Sequence, residues 1–189
     1  MIEAFSNIAT AFGLSSSAGL NAYLPLLVVA LVGRYTNLVS LNEPWNVMTN
    51  GWVILALVVL LGIEMTVDKI PAVDTLNDGI QTIGRPLSGA VLFAANSGVV
   101  GELHPVLAFV AGLMLAGGVH VVKTTTRPAV TAVTVGTGNW LVSIIEDIIA
   151  LAMAILSILL PVVLAVAIIM AIGLLLWRRY KRRLAMKEI

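Results

Sequence analysis

The sequence lacks cysteine and is poor in charged residues, and each deficit excludes a class of function. Without cysteine there is no disulfide framework, no thiolate metal site and no cysteine nucleophile. Only 11% of the residues are charged, whereas a soluble domain has roughly 25%. The formal net charge of +1 provides no basic face for a nucleic acid. We therefore expect neither a disulfide-stabilised fold nor a nucleic-acid partner.

Hydrophobic residues are correspondingly abundant. They account for 59% of the chain, with a mean hydropathy of +1.02, whereas a soluble domain has roughly 45–50% apolar residues. Such a chain has too little polar surface to cover a water-soluble globule. We predict an all-α integral membrane protein in a lipid bilayer, with residues 1–177 as a single polytopic domain. The opening MIEAFSNIATAFG has no basic region, so we expect mature protein rather than a signal peptide.

Apolar runs long enough for membrane helices divide the chain. A spanning helix needs about 20 mostly apolar residues. As one helix, the run 141–176 would be about 54 Å long, whereas a hydrocarbon core is about 30 Å thick. It is therefore either two segments that meet near Pro161 or one long, tilted helix. Four earlier runs bring the prediction to five or six spans: 14–32, 52–67, the short run 87–100, and 105–122.

Small residues recur at four-residue spacing in two of these runs. Ala108, Gly112 and Ala116 form one such series, and a second series begins at Ala90. This spacing is typical of helices that pack closely in lipid. Small residues are also common in membrane helices, so the series are either packing faces or simple composition.

A Pro-Ala-Val motif occurs twice, at Pro71 and at Pro128. A shift of 57 positions aligns the two motifs and the apolar run with a basic residue before each. We predict a short amphipathic or re-entrant helix after each motif, because apolar residues recur at helical spacing in PAVDTLNDGIQTIGRP. The alignment is either chance or a parallel internal repeat of units 52–100 and 109–160, an arrangement seen in transporters.

Basic residues predict the orientation. Residues 178–189 form a basic tail, which we place in the cytoplasm because cytoplasmic segments beside spans are rich in Lys and Arg. With six spans the N-terminus and Lys69, Arg85, Lys123 and Arg127 are also cytoplasmic, whereas five spans put those four residues outside. Six spans agree better with the rule. Five tail residues either bind anionic lipid or only anchor the topology: Arg178, Arg179, Lys181, Arg182 and Arg183.

Polar side chains in or beside the apolar runs are the candidate functional residues. Charges in a bilayer are costly unless they pair or line water. Glu64 and Asp68 share one helix face, and His120 and Lys123 share another, so we predict that these two faces meet. The set is either a polar pathway or a group of salt bridges that fixes helix register. Its members are Asn21, Glu64, Asp68, Lys69, Asp74, Asp78, Arg85, His120, Lys123, Arg127, Asn139, Glu146 and Asp147.

Signals for an enzyme are weak. The serine run SSSAG has no histidine nearby, and two histidines with scattered carboxylates make no metal-ligand spacing such as His-Glu-x-x-His. Asp78-Gly79 followed by Arg85 resembles the opening of the CDP-alcohol phosphotransferase motif, but the later Gly and Asp residues are absent. We therefore expect neither catalysis, nor a cofactor, nor a metal site.

Several strings in a fixed order resemble a known family. They are SSSAGLNAYLPLL, VDKIPAVDTLNDGIQT, RPLSGAVLFA, LHPVLA, LAGGVHVVK, RPAVTA and SIIEDIIAL. Together they resemble a bacterial membrane family catalogued as domain of unknown function 4126, over residues 11–177. The resemblance implies a multi-pass protein of the bacterial cytoplasmic membrane. It implies no activity.

Two functions fit these features. The first is a transporter or channel that moves a small solute or ion past the polar set. The alternative is a non-catalytic membrane scaffold or regulatory subunit that docks a partner or anionic lipid. Homo-oligomerisation is left open by the sequence. Water access to Glu64 or His120 distinguishes a transporter from a scaffold.

Overall fold

A computed structural model describes residues 2–41, 43–70, 73–96, 103–134 and 138–185, and across them the protein is all-helical. This confirms the predicted all-α class. A short 3-10 helix, Trp45–Thr49, lies between the second and third α-helices. The α-helices of the described residues are α1 (Ile2–Leu20), α2 (Tyr23–Tyr35), α3 (Gly51–Val67), α4 (Val73–Ala95), α5 (Pro105–Thr134) and α6 (Gly138–Ala185).

The first predicted span, 14–32, is not one continuous helix. α1 ends at Leu20 and α2 begins at Tyr23, so the chain breaks inside the apolar run. The backbone groups at this break bond to side chains from α3 and α5. Those partners are distant in sequence, and therefore the local sequence carries no sign of them.

The helices that contain the Pro-Ala-Val motifs also differ from the prediction. The helix after the first motif is not short, because α4 has 23 residues and continues through Pro86 into the next apolar run. No separate helix follows Pro128, because α5 continues through this proline to Thr134. Prolines are tolerated inside membrane helices when neighbouring groups satisfy the freed backbone. The repeat itself stays a prediction, since Pro71 and Ala72 lie outside the described residues.

The last apolar run forms one helix rather than two. α6 extends over 48 residues without a break at Pro161, which corresponds to about 72 Å. Of the two alternatives predicted from sequence, the structure therefore has the single long helix.

Contacts along α1 show how the helices are oriented. The first half of α1 lies beside the C-terminal end of α4 and the middle of α6. The C-terminal end of α1 lies beside residues that come earlier in both of those helices. Both neighbours are therefore antiparallel to α1. The contacts are Asn96 with Asn7, Gly89 with Ser15, Ser157 with Thr10, and Ala150 with Ser17.

The closest helix packing joins α4 and α5. A Cβ added to Gly112 would lie 2.3 Å from the carbonyl oxygen of Gly89 and 2.8 Å from the Cα of Ala90. Ala108 and Ala116 continue the same buried stripe of α5. The small-residue series of α5 is therefore a packing face. Beyond it, the stripe changes from small to polar and charged side chains with His120, Lys123 and Arg127.

Apolar helices are the prominent feature of the exterior. α5 and the segment Gly138–Leu159 of α6 are long and apolar enough to cross a membrane, and α2 and α3 are shorter apolar helices. α3 has only Leu57 and Glu64 buried among its residues. Large apolar side chains on its other faces, including Trp52, Leu55 and Val59, are exposed.

Candidate functional site

The break between α1 and α2 is the point around which the polar residues gather. The backbone N–H groups of Ala22 and Tyr23 donate to the carboxylate of Glu64, at 3.1–3.2 Å and 3.4 Å. The N–H of Leu24 donates to the side-chain oxygen of Asn21 at 2.9 Å. The first N–H groups of a helix lack intrahelical partners and carry partial positive charge. A carboxylate and an amide oxygen therefore compensate the start of α2.

The other side of the break has the opposite compensation. The ammonium of Lys123 donates to the backbone carbonyl of Leu20, the last residue of α1, at 3.0 Å. A helix C-terminus carries partial negative charge, so a cation is favourable there. An anion from α3 and a cation from α5 thus cap the two helix ends.

Arg85 on α4 is the central cation of the site, and it is fully buried. Its Nε and Nη2 donate to Glu64 at 3.3 Å, and Nη2 also lies 3.3 Å from Asp68. Its Nη1 donates to Asp78 at 2.9 Å and contacts Nδ1 of His120 at 3.0 Å. A planar guanidinium with five N–H donors suits such a role, because it contacts several acceptors without deprotonating.

Asp68, just after α3, is the second point where charges converge. The ammonium of Lys123 lies 2.9 Å from its carboxylate, and the guanidinium of Arg127 lies 3.6 Å away. The amide of Asn77 donates to the same side chain at 2.6 Å. Glu146 on α6 extends the network, because it contacts Arg127 at 2.6 Å and Lys123 at 3.2 Å.

A smaller pair adjoins this network. Lys69 contacts Asp147 at 3.1 Å, and the amide of Asn21 donates to Asp147 at 2.9 Å. The side chain of Lys69 is 23% exposed, so this ion pair is the more accessible part of the site. Through Asn21 it connects α6 with the break between α1 and α2.

The structure brings together most of the residues predicted from sequence. The side chain of Asp74 lies outside those described, and Asn139 accepts a bond from Thr131 beyond the network. The predicted contact of Asp68 with Lys123 is present. The remaining predicted residues lie in the network or its smaller pair: Asn21, Glu64, Asp68, Lys69, Asp78, Arg85, His120, Lys123, Arg127, Glu146 and Asp147.

The predicted partner of Glu64 is wrong in detail. Its salt bridge is with Arg85 on α4 rather than with His120 or Lys123 on α5. Glu64 reaches the start of α2, and Arg85 is the cation that lies beside it there. Helical spacing predicts which side chains share a face, but not which neighbouring helix that face meets.

Sequence reasoning missed the polar but uncharged members of the site. Asn77 bonds to Asp68, and Thr82 bonds to the backbone carbonyl of Asp78 and to His120. Gln81 is also buried beside them on α4. Their spacing in the sequence could have indicated them, because Asn77, Gln81 and Arg85 recur every four residues and therefore share a helix face.

The residues described in the structure offer a charge network rather than a metal site. Within these residues no group of three or more His, Cys, Asp or Glu side chains is arranged to hold a metal ion. The carboxylates of Glu64, Asp68 and Asp78 each contact Arg85. The tail lies at the end of α6, and the side chains of Arg178, Arg179, Lys181, Arg182 and Arg183 lie outside those described.

Comparison with known proteins identifies a family without an assigned activity. The family described as Domain of unknown function (DUF4126) matches residues 8–181. No curated protein and no solved structure matches the chain. The match covers nearly the whole sequence, and the chain therefore belongs to the DUF4126 family.

Proposed function

We propose that this protein is a multi-pass membrane transporter or channel for a small polar solute or ion. The observation that carries the proposal is the broken helix α1–α2, whose two ends contact the buried charges of Glu64 and Lys123. Helices interrupted within the membrane, with their ends directed at charges, are the typical binding-site construction of secondary transporters.

The distribution of polarity supports placement in a bilayer. Arg85 is fully buried and Trp52 is 80% exposed, which is the reverse of a water-soluble protein. In a membrane this arrangement is favourable, because apolar side chains face lipid and charged ones pair inside the bundle. α2 and α3 have 13 and 17 residues, whereas α1 has 19. At 1.5 Å per residue, α2 is about 20 Å long and α3 about 26 Å long, so each is shorter than the roughly 30 Å thickness of a hydrocarbon core.

The orientation follows from the tail. Lys69, Arg85, Lys123 and Arg127 each contact a carboxylate, so their charges are compensated inside the bundle. The tail at 178–183 therefore carries most of the orienting signal, and it favours a cytoplasmic C-terminus. We place the protein in the bacterial cytoplasmic membrane on the basis of the family resemblance and this rule.

The pairing within the network supports movement of a charged species. Asp68 lies within reach of Lys123, Arg85 and Arg127, and Arg85 itself contacts three carboxylates. Asp68 and Arg85 therefore each keep an opposite charge when one contact opens. A small ion or polar solute that enters beside either of them can replace one partner without leaving that charge uncompensated, which is the costly outcome in a low-dielectric interior.

Cysteine accessibility tests the proposal, because the natural chain has no cysteine. Ser143→Cys probes the network, since Ser143 is buried on α6 one turn from Asp147. Ser157→Cys is the matched control, since Ser157 is also buried on α6 but lies beside Thr10. Val59→Cys reports an exposed apolar position on α3. In membranes, a water-soluble thiol reagent should label only Ser143→Cys.

Flux measurements complete the test. Proteoliposomes with ion-sensitive dyes should report movement of protons, sodium, potassium or chloride by the wild type. Glu64→Gln should abolish that movement. If Ser143→Cys is as unreactive as Ser157→Cys and no flux appears, transport through this network is refuted.

That outcome would favour the alternative function, a membrane scaffold or regulatory subunit. The observation on its side is that each charged member of the network contacts an opposite charge, as salt bridges that only fix helix register would do. The basic tail would then dock a partner or anionic lipid. Vesicles with and without anionic lipid measure this, with the five basic tail residues neutralised as the comparison.

A further inference from the structure

His120 occupies a position in the network that determines the tautomer of its neutral ring. The side chain lies on α5, is 2% exposed, and contacts α4 through both ring nitrogens. Nδ1 is 3.0 Å from Nη1 of Arg85, and Nε2 is 3.2 Å from the hydroxyl oxygen of Thr82. Both neighbours have restricted hydrogen-bonding roles, and these roles determine where the imidazole carries its proton.

Two independent constraints give the same tautomer. A guanidinium only donates hydrogen bonds, so Nδ1 of His120 must accept from Arg85 and carries no proton. The hydroxyl hydrogen of Thr82 is used toward the backbone carbonyl of Asp78 at 2.8 Å. Its oxygen must therefore accept from Nε2 of His120. The contacts assign a neutral imidazole with its proton on Nε2.

The network around this neutral imidazole has an excess of negative charge. With each side chain at its ordinary charge, its described groups are four carboxylates and three cations, namely Glu64, Asp68, Asp78 and Glu146 with Arg85, Lys123 and Arg127. The pair Lys69–Asp147 has no net charge, so it does not alter this excess of negative charge. One added positive charge would balance the network, and an imidazolium at His120 supplies one unit.

We propose that His120 binds the coupling proton of this protein, an inference that rests on the proposed transport function. The proton adds to the Nδ1 lone pair, no bond of the chain breaks, and the imidazole becomes an imidazolium. The N–H of Arg85 then loses its acceptor and faces a second donor. The same guanidinium contacts Glu64 and Asp78. Proton binding thus weakens the contacts that hold Glu64 against the start of α2.

The charged groups nearest His120 act in opposite directions. Arg85 and Lys123 oppose a second positive charge there, whereas Asp78 favours it. Glu64 is the less suitable proton acceptor. Its two oxygens already accept from the N–H groups of Ala22 and Tyr23 and from Arg85.

Nitrogen NMR on the protein in bilayers tests the proton site without any transport assay. The chain has two histidines, so His104→Gln leaves only the signals of His120. His104 is exposed just before α5, so this change should preserve the fold. At high pH the spectrum should show the Nε2–H tautomer. On acidification, Nδ1 should shift to the protonated position together with a change in the arginine side-chain signals.

Two further variants sharpen the result. Asp78→Asn removes a carboxylate near His120 and should move the titration to lower pH. His120→Gln, which retains His104, should show no such coupled change. A His120 that stays neutral from about pH 4 to about pH 9, or that shows the Nδ1–H tautomer, overturns the assignment.

Flux measurements separate this inference from the function on which it rests. In proteoliposomes with a pH gradient, the wild type should move solute or ion in response to the gradient, and His120→Gln should lose this response. If His120→Gln keeps the wild-type response, the coupling role is overturned although transport stands. If the wild type shows no flux while NMR shows the coupled titration, the transport function fails and the proton site remains.

Discussion

Replacement of Arg85 by methionine should be the most damaging single change in the network. Arg85 is fully buried and contacts Glu64, Asp68 and Asp78, so its loss leaves three carboxylates with one cation fewer among them. Breaking a buried ion pair by removing one partner costs about 3–5 kcal/mol, because the remaining charge is left without compensation.

The structure indicates that the loss of stability stays within the range for breaking a single buried ion pair. Asp68 keeps Lys123 and Arg127, and Glu64 keeps the N–H groups at the start of α2. The side chain of Asp78 is 12% exposed and can recover part of its hydration. The expected loss of about 3–5 kcal/mol corresponds to a roughly 10²- to 10⁴-fold change in the unfolding equilibrium.

The measurement is reversible unfolding by SDS in mixed micelles, followed by the fluorescence of the four tryptophans. Lys69→Met is the matched control, because Lys69 is 23% exposed and Asp147 keeps the amide of Asn21. It should cost only about 0–1 kcal/mol. Combining Arg85→Met with Glu64→Gln should recover part of the loss. Equal, small losses for Arg85→Met and Lys69→Met would refute the reasoning, since the buried charges would then be solvated separately.

Three more predictions concern one ion pair, one helix-packing contact and the orientation of the chain. A double-mutant cycle should give a coupling energy of about 1–3 kcal/mol for Asp68→Asn with Lys123→Met, and a smaller one for Glu64→Gln with Lys123→Met, because only the first pair is in contact at 2.9 Å. Gly112→Ala should destabilise by about 1–3 kcal/mol in the same SDS assay. Gly118→Ala on the same helix should be neutral, because an added Cβ meets nothing within 4 Å. Reporter fusions at residues 1 and 189 should place both termini in the cytoplasm, and termini on opposite sides would exclude an even number of passages.

The identity of the polar residues was largely predictable from sequence, whereas their partners were not. A charge such as Glu64 in an apolar run is expensive in any bilayer, so its importance does not depend on what it contacts. Its partner depends on the packing of α2, α3 and α4, which no local pattern encodes. The sequence therefore indicated Glu64 and Arg85 separately, and the structure alone joins them.

Helix boundaries were predicted least well where tertiary contacts replace backbone hydrogen bonds. The break after Leu20 lies inside the apolar run 14–32, so the length of that run does not locate it. Pro86 and Pro128 had the opposite effect, because a proline in a sequence normally indicates a helix boundary. In the structure both lie inside helices. Hydropathy detects where a chain is apolar, whereas the continuity of its backbone depends on what satisfies each freed N–H and carbonyl.

Weak points of the backbone coincide with the charges of the network. Arg85 and Arg127 each precede a proline inside a helix, so each sits beside a missing backbone hydrogen bond. The third weak point is the break after Leu20, where Glu64 and Lys123 replace the intrahelical bonds. In all three places charged side chains adjoin backbone that helical bonding does not hold. A change in the charge of the network therefore acts directly on the segments that bend most easily, whereas a charge elsewhere on these helices would meet a continuous ladder of hydrogen bonds.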